Sequence, residues 1–424
     1  MSNSTPDVAI IGAGLGGLAL ALSLHAHNIP CTLYETRPAP SADASKQISY
    51  FTPNGDGGYL ALAPNALRVL DRLGAYEGVR DGGFNYDEIH MQSARSMKLI
   101  GTVRSHAEGK EGYRSVRVGR GLVRRILLDK AEERGVKIVF GAKLVDLKET
   151  KDGVDLQFGD ETLVTATLVV GADGMHSKVR DAVEPGATPR YSGQTGVGGP
   201  VSTKQLGELK DGLHMPCMLL GRGNSFAFMP CTNDGGTVSV FATMQIPDRS
   251  REEWATFMHD KVTLKKLLTD RHSKGTEWPP AVVKACQEID QNQISAWPTY
   301  RLPPLSKYTS GGGRVVIIGD AAHGIPPHAG QGAGMAFEDA ATLADKIAAG
   351  RDGGLEPLLA EWQGHRMERI KRVIDLTAQS GAARRASPTV FHQVIKEWLM
   401  AAYLWWNDGA SGMDWLYGYD TKAL

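Results

Sequence analysis

The run Val8-Ala9-Ile10-Ile11-Gly12-Ala13-Gly14-Leu15-Gly16-Gly17 decides how this chain is read. Four apolar residues without alternation suit a strand buried on both faces of a sheet. Gly12, Gly14 and Gly17 follow at the spacing of a dinucleotide-binding turn. The first allows the tight turn, the second lets backbone approach a pyrophosphate, and the third permits close helix–strand packing. A helix expected from about Gly17 to His27 then aims its unpaired N–H groups and positive dipole at the phosphates. Cys31 to Glu35 reads as the next strand, and Glu35 at its end is placed to hydrogen-bond ribose hydroxyls. This segment alone does not separate NAD from FAD.

Two later segments repeat the pattern. Leu168 to Val170 leads into Gly171-Ala172-Asp173-Gly174, and Val315 to Ile318 leads into Gly319-Asp320-Ala321-Ala322-His323. Each sets glycine or aspartate at the C-terminal end of an expected strand, where ligands bind in open α/β sheets. Three such segments point to a single extended cofactor gripped from several directions.

The 424 residues suffice for two or three domains. Lys plus Arg and Asp plus Glu both total 47, a balance that argues against a nucleic-acid partner. Cys31, Cys217, Cys231 and Cys286 show neither metal-type spacing nor a disulfide framework, which fits a reducing, cytoplasmic setting. Met1 to Asp7 is short and polar, so no signal peptide is expected. Val8 to Leu24 is apolar, but its closely set glycines read as strand, turn and buried helix rather than an anchor.

Helices are expected over Pro64–Arg72, Arg120–Arg134 and Gly332–Ala349, strands at Val136–Phe140 and Leu168–Val170, and a loop over Ala39–Tyr59. Between Tyr191 and Ile246, short apolar runs such as Ser225–Met229 and Thr237–Phe241 alternate with turn residues, as in an antiparallel sheet. The nucleotide-type fold is thus interrupted by a sheet and completed late. Beyond Gly354 the pattern is helical up to an aromatic tail containing Trp398, Trp405, Trp406 and Trp415. Glu397, Asp408, Asp414 and Asp420 make anionic lipid an unattractive partner for that tail, so it is expected to cover the substrate domain or a second copy.

In these motifs the chain resembles the class A flavoprotein monooxygenases, the family of para-hydroxybenzoate and salicylate hydroxylases. Asp173-Gly174, with Ser177 and Arg180 at the following offsets, resembles the family's "DG" motif. That motif serves FAD and the approach of the nicotinamide coenzyme. Gly319-Asp320, Pro326-Pro327 and Gly330-Gln331-Gly332 resemble the "GD" motif. The resemblance places Asp320 on the ribityl or ribose side and Pro327 on the oxygen-reacting face of the flavin. The backbone of Gly330, Gly332, Ala333 and Gly334 lies near the flavin pyrimidine oxygens, with Gly334 where the family often has Asn. Ala63 to Gly74 is similar to the helix beside the flavin, and Arg120 to an arginine that contacts the cofactor. Arg37 lies one residue from the usual arginine position.

The resemblance implies an α/β fold: a Rossmann-like FAD-binding domain interleaved with an antiparallel β-sheet substrate domain, and a helical C-terminus. The expected parts are 1–185 and 301–350 for FAD, 186–300 for the sheet and 351–424 for the helical region. It implies NADPH or NADH reducing FAD, then O₂ adding at flavin C4a to give a hydroperoxide that hydroxylates a phenolic or polycyclic aromatic substrate. An epoxidase, a drug-inactivating oxygenase, or a flavin dehydrogenase that does not activate O₂ are the alternatives. Candidate substrate-pocket residues are Phe226, Phe228, Met229 and Met244, with His214 as a base or an ordinary histidine. A monomer or homodimer is expected, and no metal.

Overall fold

A computed structural model describes residues 7–40, 58–105, 112–273, 277–327, 330–351, 354–383, 387–407 and 413–423. The loop expected over Ala39–Tyr59 lies largely outside the described residues. Strand β1 (Val8–Ile11) is the centre of a five-stranded parallel sheet. Leu168–Gly171 and then Val315–Ile317 lie on one side of it, Cys31–Glu35 and then Lys137–Phe140 on the other. Every residue of β1 and of Leu168–Gly171 is buried, because helices cover both faces and leave no solvent side to call for alternation.

Helix α1 (Leu15–Ala26) starts two residues earlier than expected and is apolar all round. Leu18, Leu20, Leu22 and Leu24 are fully buried, so the hydrophobicity of Val8 to Leu24 serves core packing. Among the described residues, no helix is long and apolar enough to cross a membrane.

A seven-stranded sheet forms the second layer. Its order is Ser295–Arg301, Arg190–Ser202, Thr237–Gln245, Ser225–Pro230, Cys217–Leu220, Glu88–Ser93, Leu99–Arg104. The last two strands come from chain assigned by sequence to the FAD-binding part. Glu88–Ser93 joins through a parallel pairing with Cys217–Leu220, the one parallel contact in an otherwise antiparallel sheet. Such long-range pairing leaves no local signal. A three-stranded sheet of Tyr59–Leu62, Ser115–Gly119 and Phe84–Tyr86 lies beside it.

Strand alternation places the expected pocket residues on two faces of the large sheet. Phe226, Phe228 and Met244 all point to one face of the large sheet, into a core with Trp254, Leu264, Leu268 and Trp278 of the helical layer behind it. They are sealed and line no open surface. Met229 points the other way with Met218, Leu220, Ala227 and Phe241, and Leu404 of the C-terminal helix covers part of that face.

That helix, Val390–Trp406, uses one side for the substrate domain: Ser93 donates to Glu397 at 3.0 Å, and Gln393 reaches both Glu397 and the Leu220 carbonyl. Its other side leaves Phe391, Trp398, Leu399, Tyr403, Trp405 and Trp406 exposed, Trp405 and Trp406 by more than four-fifths.

A buried ion network joins the late helices to the cofactor half. Glu338 and Asp339 sit on Gly332–Ala349, and Arg366 and Arg369 on Leu355–Ala383. Arg366 donates to Asp339 at 2.7 Å and Glu338 at 2.8 Å, and Arg369 donates to Glu338 at 2.6 and 2.7 Å. Burial opposes ionisation of Asp339, but Arg366 and His323 outweigh it and hold its carboxyl down to about 2. Arg366→Met would leave Asp339 without its arginine and Glu338 with Arg369 as its only arginine, a loss of about 3–5 kcal/mol for a broken buried pair. A marked fall in melting temperature is expected in calorimetry, and an unchanged one would contradict this role.

Candidate active site

The parallel sheet brings the three glycine-bearing segments to one edge. Ile11 pairs with Gly171, and Gly171 with Ile317, so the three loops leave the sheet from the same rung. In the first loop the glycines divide by function. Gly12 has φ +104°, and a Cβ there would lie 2.6 Å from the Ala172 oxygen; one at Gly17 would lie 2.0 Å from the Gly12 oxygen. Both are demanded by packing. Gly14 has an ordinary extended conformation, and a Cβ there would meet no protein atom within 4 Å. The protein itself does not require glycine at 14, and the open space in front of it fits a pyrophosphate approaching backbone.

Glu35 is buried at the end of its strand and accepts the Ala13 N–H at 2.9 Å, so it braces the turn. Arg37 donates to it through its backbone N–H at 2.9 Å and its Nε at 3.0 Å. Burial raises the Glu35 pKa, but the Arg37 hydrogen bonds and the charges of Arg37 and Arg124 bring it below the usual range. An ionised acceptor suits ribose hydroxyls. Arg124 also donates to the Ala13 carbonyl at 3.0 Å. It lies one turn after Arg120 on helix Arg120–Glu133, whereas Arg120 itself is exposed and donates its backbone N–H to Gly58. Arg37, one residue from the usual arginine position, thus meets the acid, whereas Arg124 was not expected at the turn. The signal for Arg124 was its place on the face of Arg120.

The second loop is held by its own residues. Asp173 accepts from the Ser177 hydroxyl at 2.6 Å and from the N–H groups of Lys178 and Val179. Burial dominates and raises its pKa. Gly174, at φ +80°, makes the reversal, and a Cβ there would meet open space. Arg180 then spans the carbonyls of Met175, Ala187 and Ala321, tying the second loop to the third.

In the third loop Gly319 turns at φ +61° and donates its N–H to Asp339 at 2.9 Å. His323 is buried with Nε2 2.8 Å from the same carboxylate, so its role is to fix the loop. Asp320, partly buried, has no hydrogen bond or ion pair among the described residues. That spare carboxylate at the mouth of the sheet fits the hydroxyls of a ribityl chain.

The segment before helix Gly332–Ala349 completes the edge. Pro327 is exposed, and its carbonyl accepts the Gly330 N–H at 3.0 Å. Gly330, at φ +65°, lies against Ala61; no atom lies within 4 Å of a Cβ at Gly332. Ala333 is partly buried beside it, and no side chain caps the helix. Its first N–H groups are available to an anionic oxygen. A Cβ at Gly334 would come within 3.3 Å of the Asn65 amide. Asn65 donates to Gln331 and Glu338 and leaves a buried Oδ1 without a partner. Asn65 thus occupies the space that a side chain at 334 would need.

His214 is elsewhere. It is exposed beside Cys217–Leu220, with its ring 5.7 Å from that of His90 and its N–H donated to Gln92. Among the described residues, no hydrogen bond, ion pair or ring contact joins it to the three loops.

A family described as an FAD binding domain matches residues 5–377. The chain is a class A flavoprotein monooxygenase. It is 29% identical to a 3-amino-4-hydroxybenzoate 2-monooxygenase of Streptomyces platensis, over all of this chain and 98% of that one. It is 26% identical to 3-hydroxybenzoate 6-hydroxylase 1 of Aquipseudomonas alcaligenes, over 98% of each chain. HpxO of Klebsiella pneumoniae, solved with FAD and uric acid, superposes with a TM-score of 0.76 at 22% identity, over 95% of this chain and 94% of its own. The monooxygenase therefore takes FAD and performs FAD-dependent aromatic hydroxylation.

Two substitutions test the site assignments. Asp320→Ala removes the spare acceptor and Gly14→Val fills the open space; each is expected to yield folded protein with FAD affinity lowered roughly ten-fold or more. Undiminished FAD binding measured by fluorescence titration would remove the corresponding role.

Proposed function

We propose that this monooxygenase hydroxylates a small phenolic ring, with NADPH or NADH as reductant and O₂ as oxidant. The observation that carries the reading is the single sheet rung from which all three loops depart, with Asp320 at its mouth unpartnered among the described residues. Two relatives matched over nearly their whole length are named for hydroxybenzoates, which favours one ring over a polycyclic substrate.

When bound, FAD supplies the redox and oxygen chemistry. The chain's own tasks are positional and electrostatic. The Gly12–Gly17 turn holds the pyrophosphate, Glu35 the ribose and Asp320 the ribityl hydroxyls. The uncapped start of helix Gly332–Ala349 stabilises negative charge at the pyrimidine end. Pro327, with φ fixed by its ring, gives a stiff edge to the loop beside the reacting face. Arg120, Asp173 and Gly174 shape the approach to the cofactor. The sequence holds no second Gly-x-Gly-x-x-Gly, which supports a reductant that docks transiently.

Anaerobically reduced protein mixed rapidly with oxygenated buffer containing a hydroxybenzoate is expected to show a transient near-ultraviolet species before the oxidised flavin spectrum returns. Very slow, monophasic reoxidation would place the chain among the dehydrogenases instead.

A further inference from the structure

Helix Val390–Trp406 is amphipathic in the wrong sense for a monomer. At 3.6 residues per turn, Phe391, Ile395, Trp398, Leu399, Trp405 and Trp406 share an arc of about 120°, and the other residue within it is Ala402. The opposite side carries Gln393 and Glu397, which are buried and hydrogen-bonded to the large sheet. A surface helix ordinarily turns its apolar stripe inward and its polar residues outward. Here the stripe faces out, with Phe391, Trp398 and Leu399 two-thirds or more exposed.

At their observed exposure the four rings and two aliphatic side chains of the arc offer on the order of 800 Å². The largest apolar patch of a monomer is ordinarily about 300–600 Å². A stable protein interface takes about 800 Å² from each partner. The order of the residues says what kind of partner fits. Phe391, Ile395, Trp398, Ala402 and Trp405 follow one another at intervals of four, three, four and three, the seam of a coiled coil, which packs against a second helix. Run antiparallel against itself, the seam sets Phe391 of one copy opposite Ala402 of the other, and Ile395 opposite Trp398. A two-fold contact needs such self-complementarity. Beside Ala401, Leu404 and Trp405 a cleft of about 310 Å³ opens against the edge strand Leu99–Arg104, with Glu88 and Arg104 on its wall. It leaves room for a bulky side chain at the level of Ala402.

A bilayer fits this face less well. Helices that lie in a membrane surface are rich in lysine and arginine, whereas this one has Lys396 alone, outside the arc. The charged wall of the cleft would be pressed against acyl chains, but a protein can pair with it.

We propose that the outer face of helix Val390–Trp406 binds a second copy of the chain, pairing the two helices antiparallel about a two-fold axis between Ile395 and Trp398. The contact bears on the large sheet directly, because Leu404 and Met400 of the same helix share a core with Met218 and Met229. It does not depend on what the three loops bind.

The test is sedimentation velocity of the full-length, FAD-loaded protein across micromolar concentrations, with flotation on phosphatidylcholine vesicles beside it. A dimer that does not float is expected. W398E puts a charge at the centre of the seam and should raise the dimer dissociation constant roughly thirty-fold or more, at unchanged flavin content and circular dichroism. A monomeric wild type, protein carried up with the vesicles, or a W398E dimer as tight as wild type would each overturn the proposal, and the second would assign the face to lipid. Tryptophan fluorescence of the wild type gives a reading that needs no variant. Dilution that splits the dimer should red-shift the emission and open it to acrylamide; emission unchanged across the dissociation would overturn the proposal as well.

Discussion

Glu338 and Asp339 are adjacent and buried, and the geometry of the cofactor edge depends on what satisfies them. Between them they accept from Arg366, Arg369, Asn65, His323 and the Gly319 N–H. Those donors belong to the long C-terminal helix, to the helix at Pro64–Arg72 and to the third cofactor loop. The network thus sets the distance between the loop carrying Asp320 and the first turn of helix Gly332–Ala349. Arg369 also reaches the carbonyls of Trp415 and Leu416, so the tail is fastened to the same point. Buried ion pairs are seldom retained for stability alone; here the network fixes the register of the elements that meet at the cofactor.

The second constraint is the sheet rung shared by Ile11, Gly171 and Ile317. Parallel strands buried on both faces all present their C-terminal ends at one edge, and each loop needs glycine for a different reason. Gly12 and Gly17 are required by neighbouring backbone, Gly319 by its positive φ, Gly14 and Gly332 by no protein atom at all.

Much of this was legible in the sequence because it is local. Val8–Ile11, Cys31–Glu35 and Pro64–Arg72 follow from apolar runs and helix signals a few residues long. The cofactor segments carry glycine and aspartate at fixed offsets. What was not legible depends on distant chain. Glu88–Ser93 joins the large sheet only because Cys217–Leu220 offers it an edge. Phe226 and Phe228 alternate correctly, but alternation does not say which face meets helices and which meets the cofactor domain. Arg366 and Arg369 look like solvated helix charges until Glu338 and Asp339 are placed beside them.

A crystal structure of the FAD-loaded protein tests the central claim most directly. The account predicts the pyrophosphate over Gly14, about 3 Å from N–H groups at the start of α1. It also predicts the Asp320 carboxylate on the ribityl hydroxyls and the flavin ring against the Gly330–Gly332 backbone. FAD seated away from the shared rung, or with Asp320 still unpartnered, would contradict it.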